Sequence, residues 1–519
     1  MGVFDGHDLE VPYEPLADLL KKYAALHPAK TAIVDVDNYI SIDFAQLHQT
    51  VNDVAGRLKQ LGVGHGDRVL LLSDESIDKL IAWLGIWRIG AVVAPLNIEL
   101  NTGHLNDLAR IVEPKLTIHH NDIDCSSFKD VAPQIELGAW DAARSEANKN
   151  SLFGSLPTGT TDEAHPERNA AEDVSCMFCT SGTTSKPKIV VYDTAAYWLS
   201  GLSTLDMLGL NADDKTLEYR SFGWNSAQIL SLMPFLQRGL SMHIARRFSH
   251  SRFFEWIQKY GLTFSAGVPT VVNMLLNKPL GYSAKDIPTL RLMTCSTAPL
   301  SPEQWVKFEE MYGITLLQLY GMSEAGWICG NRHYRKKMGT VGPPAKHQEF
   351  AIVDEKGETV APGVEGEVTI GGSQTALGTL GDDMILQPVR GTRVKTGDLA
   401  VMDENGFVTV TGRTKDLIIR GGMNIAPVEI DNVLLAHENV LDGAAVGVPD
   451  PIYGEEVVAF VMAKSGTLTQ ESVIEHCGKT LPSPKVPKKV FVVAELPKSD
   501  RGKVLRDELK KLYATMTEA

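Results

Sequence analysis

Six cysteines in 519 residues are too few for a disulfide framework, so a reducing compartment, the cytoplasm, is expected. Cys176 and Cys179 make a CxxC, but no second CxxC or histidine pair follows at zinc spacing. In a strand, residues three apart face opposite sides, so two packed core thiols are expected. Positive charge is also short: 50 basic residues stand against 64 acidic ones, a net charge of −14. That disfavours a general nucleic-acid surface, which needs a basic face. Long apolar runs are missing. The longest, 80–96, is interrupted by Gly85, Arg88, Gly90 and Pro95, and reads as a helix followed by a buried strand rather than a membrane span. The first ten residues are acidic and have no apolar stretch, so no signal peptide is expected there. Gly6 stands where a myristoylation motif has Ser or Thr. A Walker A loop is missing too. Gly478-Lys479-Thr480 imitates its end, but Val473 occupies the place of its first glycine. No internal repeat is present.

What remains is ordinary globular composition, 44% hydrophobic and 22% charged, in a chain long enough for two or more domains. Its centre is the stretch 178–191, FCTSGTTSKPKIVV. Thr180, Ser181, Gly182, Thr183, Thr184 and Ser185 offer backbone N–H groups and hydroxyls, and Gly182 allows close approach of the backbone to an anion. Lys186 and Lys188 add positive charge. The apolar run 174–178 reads as a buried strand, which places this loop at a strand end. A phosphate cradle and a polar surface loop both fit these residues alone.

Elsewhere the chain alternates. Helices are predicted over 16–26, 41–61, 77–88, 253–260 and 269–276, and strands over 31–36, 69–72, 91–96, 263–267, 290–296 and 316–319. Such alternation predicts parallel sheet covered on both faces. Residues 143–171 read as a loop. Ser301-Pro302-Glu303 opens a further helix. At Tyr320-Gly321-Met322-Ser323-Glu324 a hydroxyl and a carboxylate stand side by side. They suit a phosphate with its metal ion, or a helix N-cap with a first-turn Glu. From about residue 339 the pattern becomes short strands and turns, at 350–353, 366–370, 399–402 and 407–410, which predicts an antiparallel region. A small α+β unit follows, with helices at 428–436 and 470–479, strands at 442–448, 456–462 and 489–493, then a polar loop and a last helix.

Six motifs stand in order: the 180–188 loop, YGMSE at 320–324, TGDL at 396–399, GRTKD at 412–416, RGG at 420–422 and GK at 502–503. Together they resemble the adenylate-forming superfamily of acyl-CoA synthetases, adenylation domains and beetle luciferases, and most closely an AMP-forming acid–CoA ligase. The resemblance runs from GVGHGDRV at 62–69 to Arg506. It implies an α/β fold with a large N-terminal domain, 1–414, built of parallel-type α/β subdomains and a small antiparallel β region. A small, mobile α+β C-terminal domain would span 415–519. It implies ATP, Mg²⁺ and coenzyme A as cofactors, a small carboxylic acid as substrate, and neither nucleic acid nor integral membrane association. The acid would be joined to AMP with release of pyrophosphate, and a thiol would then displace AMP.

The resemblance also implies roles. Thr180, Ser181, Gly182, Thr183, Thr184 and Lys188 would hold the β- and γ-phosphates, and Ser323 the α-phosphate. Glu324 would hold Mg²⁺. Ser296, Thr297, Ala298, Pro299, Tyr320 and Gly321 would line the nucleotide. Asp398 would accept the ribose hydroxyls, and Arg413 would bond ribose or phosphate. Lys503 would steady charge at the carboxylate and α-phosphate. Lys415 would be the hinge, and Gly421 and Gly422 would let the pantetheine arm pass. Ser185 and Ile189 replace glycines usual in the family's phosphate loop. Ser221-Phe222-Gly223-Trp224-Asn225 replaces its His-containing acyl segment, and Trp224 would narrow the acyl pocket. Arg246-Arg247 are expected in solvent. A carrier-protein thiol as acceptor, a nucleotide-binding protein without catalysis and a luciferase-like oxygenase are the alternatives.

Overall fold

The computed structural model describes residues 12–98, 102–125, 130–141, 150–165, 169–179, 188–298, 300–464, 468–499 and 503–518. Two large sheets dominate. In the first, the order is Gly326–Gly330, Thr315–Met322, Leu292–Cys295, Phe264–Ser265, Lys215–Glu218, Ser241–Ile244, Thr31–Asp35 and Ile40–Asp43. Its inner pairs are parallel and its two outermost pairs antiparallel. In the second, Val174–Cys179, Val92–Pro95, Arg68–Leu72, Leu116–His119 and Gln134–Glu136 run parallel. Ile189–Asp193, Gly378–Leu380 and Leu386–Pro388 extend it antiparallel.

Helices Phe44–Gln60, Ile77–Arg88 and Thr194–Leu208 share one core with both sheets. Ile33, Ile42 and Met242 of the first sheet and Val69, Leu71 and Val93 of the second belong to the same buried cluster. Every residue of Ile77–Arg88 is buried, including the cations Lys79 and Arg88. A helix enclosed on all sides loses the polar stripe of a surface helix. The two charges survive because each is paired: Lys79 Nζ meets Glu75 Oε1 at 2.7 Å, and Arg88, which donates to Asn52 Oδ1 at 2.9 Å, lies 3.5 Å from Asp162 Oδ1. Helices Phe253–Tyr260, Pro269–Asn277 and Pro302–Tyr312 cover the far face of the first sheet, and Thr102–Val112 that of the second. The expected start at Ser301 is a capping box with Gln304, with Pro302 in the first turn.

The segment 41–61 is corrected. Residues Ile40–Asp43 form a strand, and the helix starts at Phe44 behind an Asp43 capping box with Gln46. The Ile-Ser-Ile-Asp alternation is a period-two pattern that the longer helical period concealed.

Beyond these layers, Glu349–Val353, Gly366–Gly371, Val394–Met402 and Val408–Arg413 make the antiparallel sheet that was expected. The C-terminal unit pairs Val440–Asp450 with Gly454–Ala463, flanked by Ile418–Arg420, Met423–Ile425 and Lys489–Val492. Helices Pro427–Ala436 and Gln470–Thr480 pack on one face, and Arg506–Glu518 on the other. No helix among the described residues is long and apolar enough to cross a membrane.

Candidate active site

Parallel strands deliver their following residues to one edge of a sheet, where open α/β folds bind ligands. Leu292–Cys295 runs parallel to Thr315–Met322, so Ser296, Thr297 and Ala298 emerge at the edge reached by Tyr320. Ser296 is buried, and its Oγ has no hydrogen-bond partner among the described residues. Thr297 has φ +77°, a left-handed conformation uncommon for a β-branched residue. Gly321 is fixed by crowding, since a Cβ there would lie 2.3 Å from the Gly326 carbonyl oxygen.

Ser323 and Glu324 do not begin a helix. They form the turn between Thr315–Met322 and Gly326–Gly330, which pair antiparallel. The N-cap alternative is therefore withdrawn. The turn is pinned through its backbone: the Ser323 carbonyl accepts from Tyr192 Oη at 3.0 Å and Asn225 Nδ2 at 3.3 Å. The Glu324 carbonyl accepts from Ala376 N at 2.9 Å. Tyr192 carried no signal in the sequence beyond its place in an apolar strand.

Asp398 and Arg413 are cross-strand partners in the antiparallel sheet. Arg413 Nε lies 2.7 Å from Asp398 Oδ1. The angle is wrong for a hydrogen bond from that nitrogen, so the contact is an ion pair. Tyr320 Oη donates to Asp398 Oδ2 at 2.6 Å. Burial, reinforced by the Asp398 charge, holds the Tyr320 phenol well above its ordinary pKa.

Lys503 joins this group from the far end of the chain. Its loop closes by Ser499 N donating to the Lys503 carbonyl at 2.8 Å and Lys503 N donating to Ser499 Oγ at 3.2 Å. Burial and then the Arg413 charge push the Lys503 ammonium below the ordinary lysine pKa, while Asp398 and Asp416 oppose the shift. The structure joins Tyr320, Asp398 and Arg413 directly, and the charges of Asp398 and Arg413 act on Lys503.

The other expected residues lie as follows. Lys188 is exposed at the start of Ile189–Asp193. That strand pairs antiparallel with Val174–Cys179. Thr180, Ser181, Gly182, Thr183, Thr184, Pro299 and Gly502 lie outside the described residues. Lys415 is exposed within the single turn Thr414–Asp416. Gly421 and Gly422 form an exposed two-residue hairpin turn with φ +56° and +81°, the conformation in which glycine is favoured. Trp224 packs beside the cluster of Leu70, Val92 and Leu96. Arg246 is largely exposed and pairs with Asp74.

The charges of Asp398 and Arg413 on the large unit thus act on Lys503 of the C-terminal unit. Residues 20–380 match the model of the AMP-binding enzyme family, and residues 429–503 match its C-terminal domain. The chain belongs to the AMP-binding enzyme family. Members similar to it include a probable CoA ligase, CCL9, from Humulus lupulus, 32% identical with 95% of each chain covered. Another is the oxalate–CoA ligase of Arabidopsis thaliana, 30% identical over 95% of this chain and 97% of that one. Among solved members, ATP-bound MatB from Rhodopseudomonas palustris superposes with a TM-score of 0.84 at 26% identity, over 96% of this chain and 99% of that one. The fold and the family agree with the expectation from the sequence.

Proposed function

We propose that the group Lys503, Asp398, Arg413, Tyr320, Ser323 and Glu324 is the adenylation centre of this chain. As a member of its family the chain is an AMP-forming acid–CoA ligase that uses ATP, Mg²⁺ and coenzyme A. A carboxylate oxygen of the acid attacks the α-phosphorus of ATP, the bond to pyrophosphate breaks, and an acyl-adenylate forms. The CoA thiol then attacks the acyl carbon, and AMP leaves.

The chemistry brings a carboxylate onto a polyanion, so positive charge and donors must be in place beforehand. Lys503 supplies the charge for the acid and the α-phosphate, and Lys188, with Thr180–Thr184, serves the outer phosphates. Asp398 accepts the ribose hydroxyls while Tyr320 and Arg413 hold its carboxylate. Ser296 has an unmet hydroxyl suited to the base. Glu324 is a hard oxygen ligand on the turn, and among the described residues no cluster of three or more metal-binding side chains occurs. It fits Mg²⁺ shared with ATP phosphates, and the ion would neutralise their charge. Lys415 is the hinge between units 1–414 and 415–519, and Gly421-Gly422 is the passage for the CoA arm. The cytoplasm is the compartment.

The observation that carries this reading is the grouping of Tyr320, Asp398 and Arg413 by a 2.6 Å hydrogen bond and a 2.7 Å ion pair, beside the Ser323–Glu324 turn. The test is product analysis with ATP, Mg²⁺, CoA and a panel of acids. AMP and pyrophosphate are expected, and ADP with phosphate would overturn it. CoA is favoured over a carrier-protein thiol because the relatives CCL9 and oxalate–CoA ligase carry the CoA-ligase name.

A further inference from the structure

A cavity of about 300 Å³ opens on the first sheet, away from the adenylation centre. Its walls come from the outer strands Thr31–Asp35 and Ile40–Asp43, from the starts of Lys215–Glu218 and Ser241–Ile244, and from the last turn of helix Phe253–Tyr260. In the order of that sheet three strands separate Thr31–Asp35 from Leu292–Cys295, which leads into Ser296. At about 4.8 Å between neighbouring strands, the two lie about 19 Å apart. None of the candidate-site residues lines the cavity. Small-molecule sites begin at about this size.

Tyr260 gathers the walls around one space. Lys215 Nζ donates to the Tyr260 carbonyl at 3.1 Å, which uses one of its three protons. Lys259 Nζ lies 5.3 Å from the centre of the Tyr260 ring and 3.9 Å from that of Tyr39. The His243 ring stands 5.2 Å from the Tyr260 ring. Burial, and then the Lys215 charge, lower the His243 pKa, so that charge is felt in the cavity wall. Tyr39 is 63% exposed and has φ +58°, a backbone conformation rarely taken by so large a residue. Lys215 and Lys259 are both exposed, and neither has an ion-pair partner among the described residues. The carboxylates near them in the chain and beside Tyr39 are engaged elsewhere: Asp214 meets Arg291 at 2.9 Å, and Asp37 meets Arg252 at 2.8 Å.

Charge and shape then name the ligand. No acidic residue lines the cavity, in a chain whose net charge is −14. Two free ammonium groups there call for an anion. A flat carboxylate is matched best by an arginine fork, and no arginine lines the cavity. Lysines act as point charges and suit a tetrahedral phosphate. The rings of Tyr39 and Tyr260, with Val34 and Ile40, add apolar surface that an organic ring can cover. We propose that this cavity is a second ligand site, which takes a small phosphate monoester with a ring in its body. Lys215 and Lys259 hold the phosphate, and Tyr39 and Tyr260 flank the ring. The site is separate from the adenylation reading and does not depend on it.

The test is calorimetric titration of the full chain with phenyl phosphate, inorganic phosphate and phenol. Each titration is run with and without saturating α,β-methylene-ATP and Mg²⁺, which fill the nucleotide site. One phenyl phosphate per chain is expected in both conditions, bound about tenfold or more tighter than inorganic phosphate or phenol. Lys259→Ala and Lys215→Gln, both at exposed positions, should each weaken it by about tenfold or more, because bonds to charged groups are the strong ones. No binding at millimolar phenyl phosphate overturns the proposal, and so does an affinity unchanged in both variants. Binding seen only without the nucleotide analogue also overturns it, since the phosphate then sits at the adenylation centre. Phenol bound as tightly as phenyl phosphate overturns the role of the phosphate, and inorganic phosphate bound as tightly overturns that of the ring.

Discussion

Lys503→Ala should divide the two half-reactions. Lys503 stands among two carboxylates, Asp398 and Asp416, and two cations, Arg413 and Lys415. Charges of both signs surround it, so removing one ammonium leaves no single buried ion stranded and the fold should persist. The loss falls on the reaction, where a preorganised charge is worth about 3–4 kcal/mol, or roughly 10²–10³ in rate. Single-turnover formation of acyl-AMP should therefore slow by about that factor. Thioester formation from supplied acyl-AMP and CoA should stay within about threefold of wild type, because one charge contact is worth far less where it is not made. The assay is rapid quench with labelled ATP for the first half and thioester chromatography for the second. Equal losses in both halves would refute the assignment of Lys503 to adenylation alone. A pH series adds a second check. The ammonium is the active form and its pKa lies below the ordinary lysine value, so acyl-AMP formation should decline on the alkaline side earlier than for an ordinary lysine. Lys503→Arg should move that decline upward, since guanidinium stays charged.

Tyr320→Phe removes the 2.6 Å bond to Asp398. A bond to a charged group is worth about 1.5–3 kcal/mol, so KM for ATP should rise roughly 10- to 100-fold, read by initial rates. Lys415→Pro opposes the turn Thr414–Asp416 and restricts Thr414. One half-reaction should fall by orders of magnitude while the other survives; wild-type rates in both would remove Lys415 as the hinge. Gly321→Ala drives a Cβ to 2.3 Å from a backbone oxygen. Unfolding by denaturant should show a loss of about 3 kcal/mol or more. His243 is neutral in the fold because burial, and then Lys215, lower its pKa from 6.5 to about 4. Above pH 6.5 it is neutral in both states, and as pH falls from there toward 4 only the unfolded chain takes the proton. Stability should therefore drop by about 3 kcal/mol across that window, a slope that His243→Gln should flatten.

Much of this was legible in the sequence because its periods are clean. Leu16–Leu26, Ile77–Arg88 and Phe253–Tyr260 have the bounds that the pattern predicts. Gly and Pro punctuation located the antiparallel region and the C-terminal unit. Short strands such as Gly378–Leu380 and Leu386–Pro388 stayed hidden, since three residues carry no period. The candidate site stands in the sequence as an ordered set of motifs, without a geometry. Nothing in Tyr320 or Asp398 reveals that they meet, because the contact depends on tertiary packing. Tyr192 was missed for the same reason, and Asn225 was named only within the 221–225 segment, not as a partner of the Ser323 carbonyl. Their signal is an orphaned or shared hydrogen bond, which exists only in three dimensions.

The pairing of Asp398 with Arg413 has a mechanical consequence. Arg413 is the last residue of Val408–Arg413, still laced into the large unit, and the turn Thr414–Asp416 begins immediately beyond it. A swivel starting at Lys415 would carry Lys503 away while leaving Asp398 and Arg413, the proposed ribose contacts, behind. The nucleotide would be gripped by the stator while the rotor changes the tool it presents. An intermediate as labile as a mixed anhydride could thus wait, undissociated, through the interval between its making and its use.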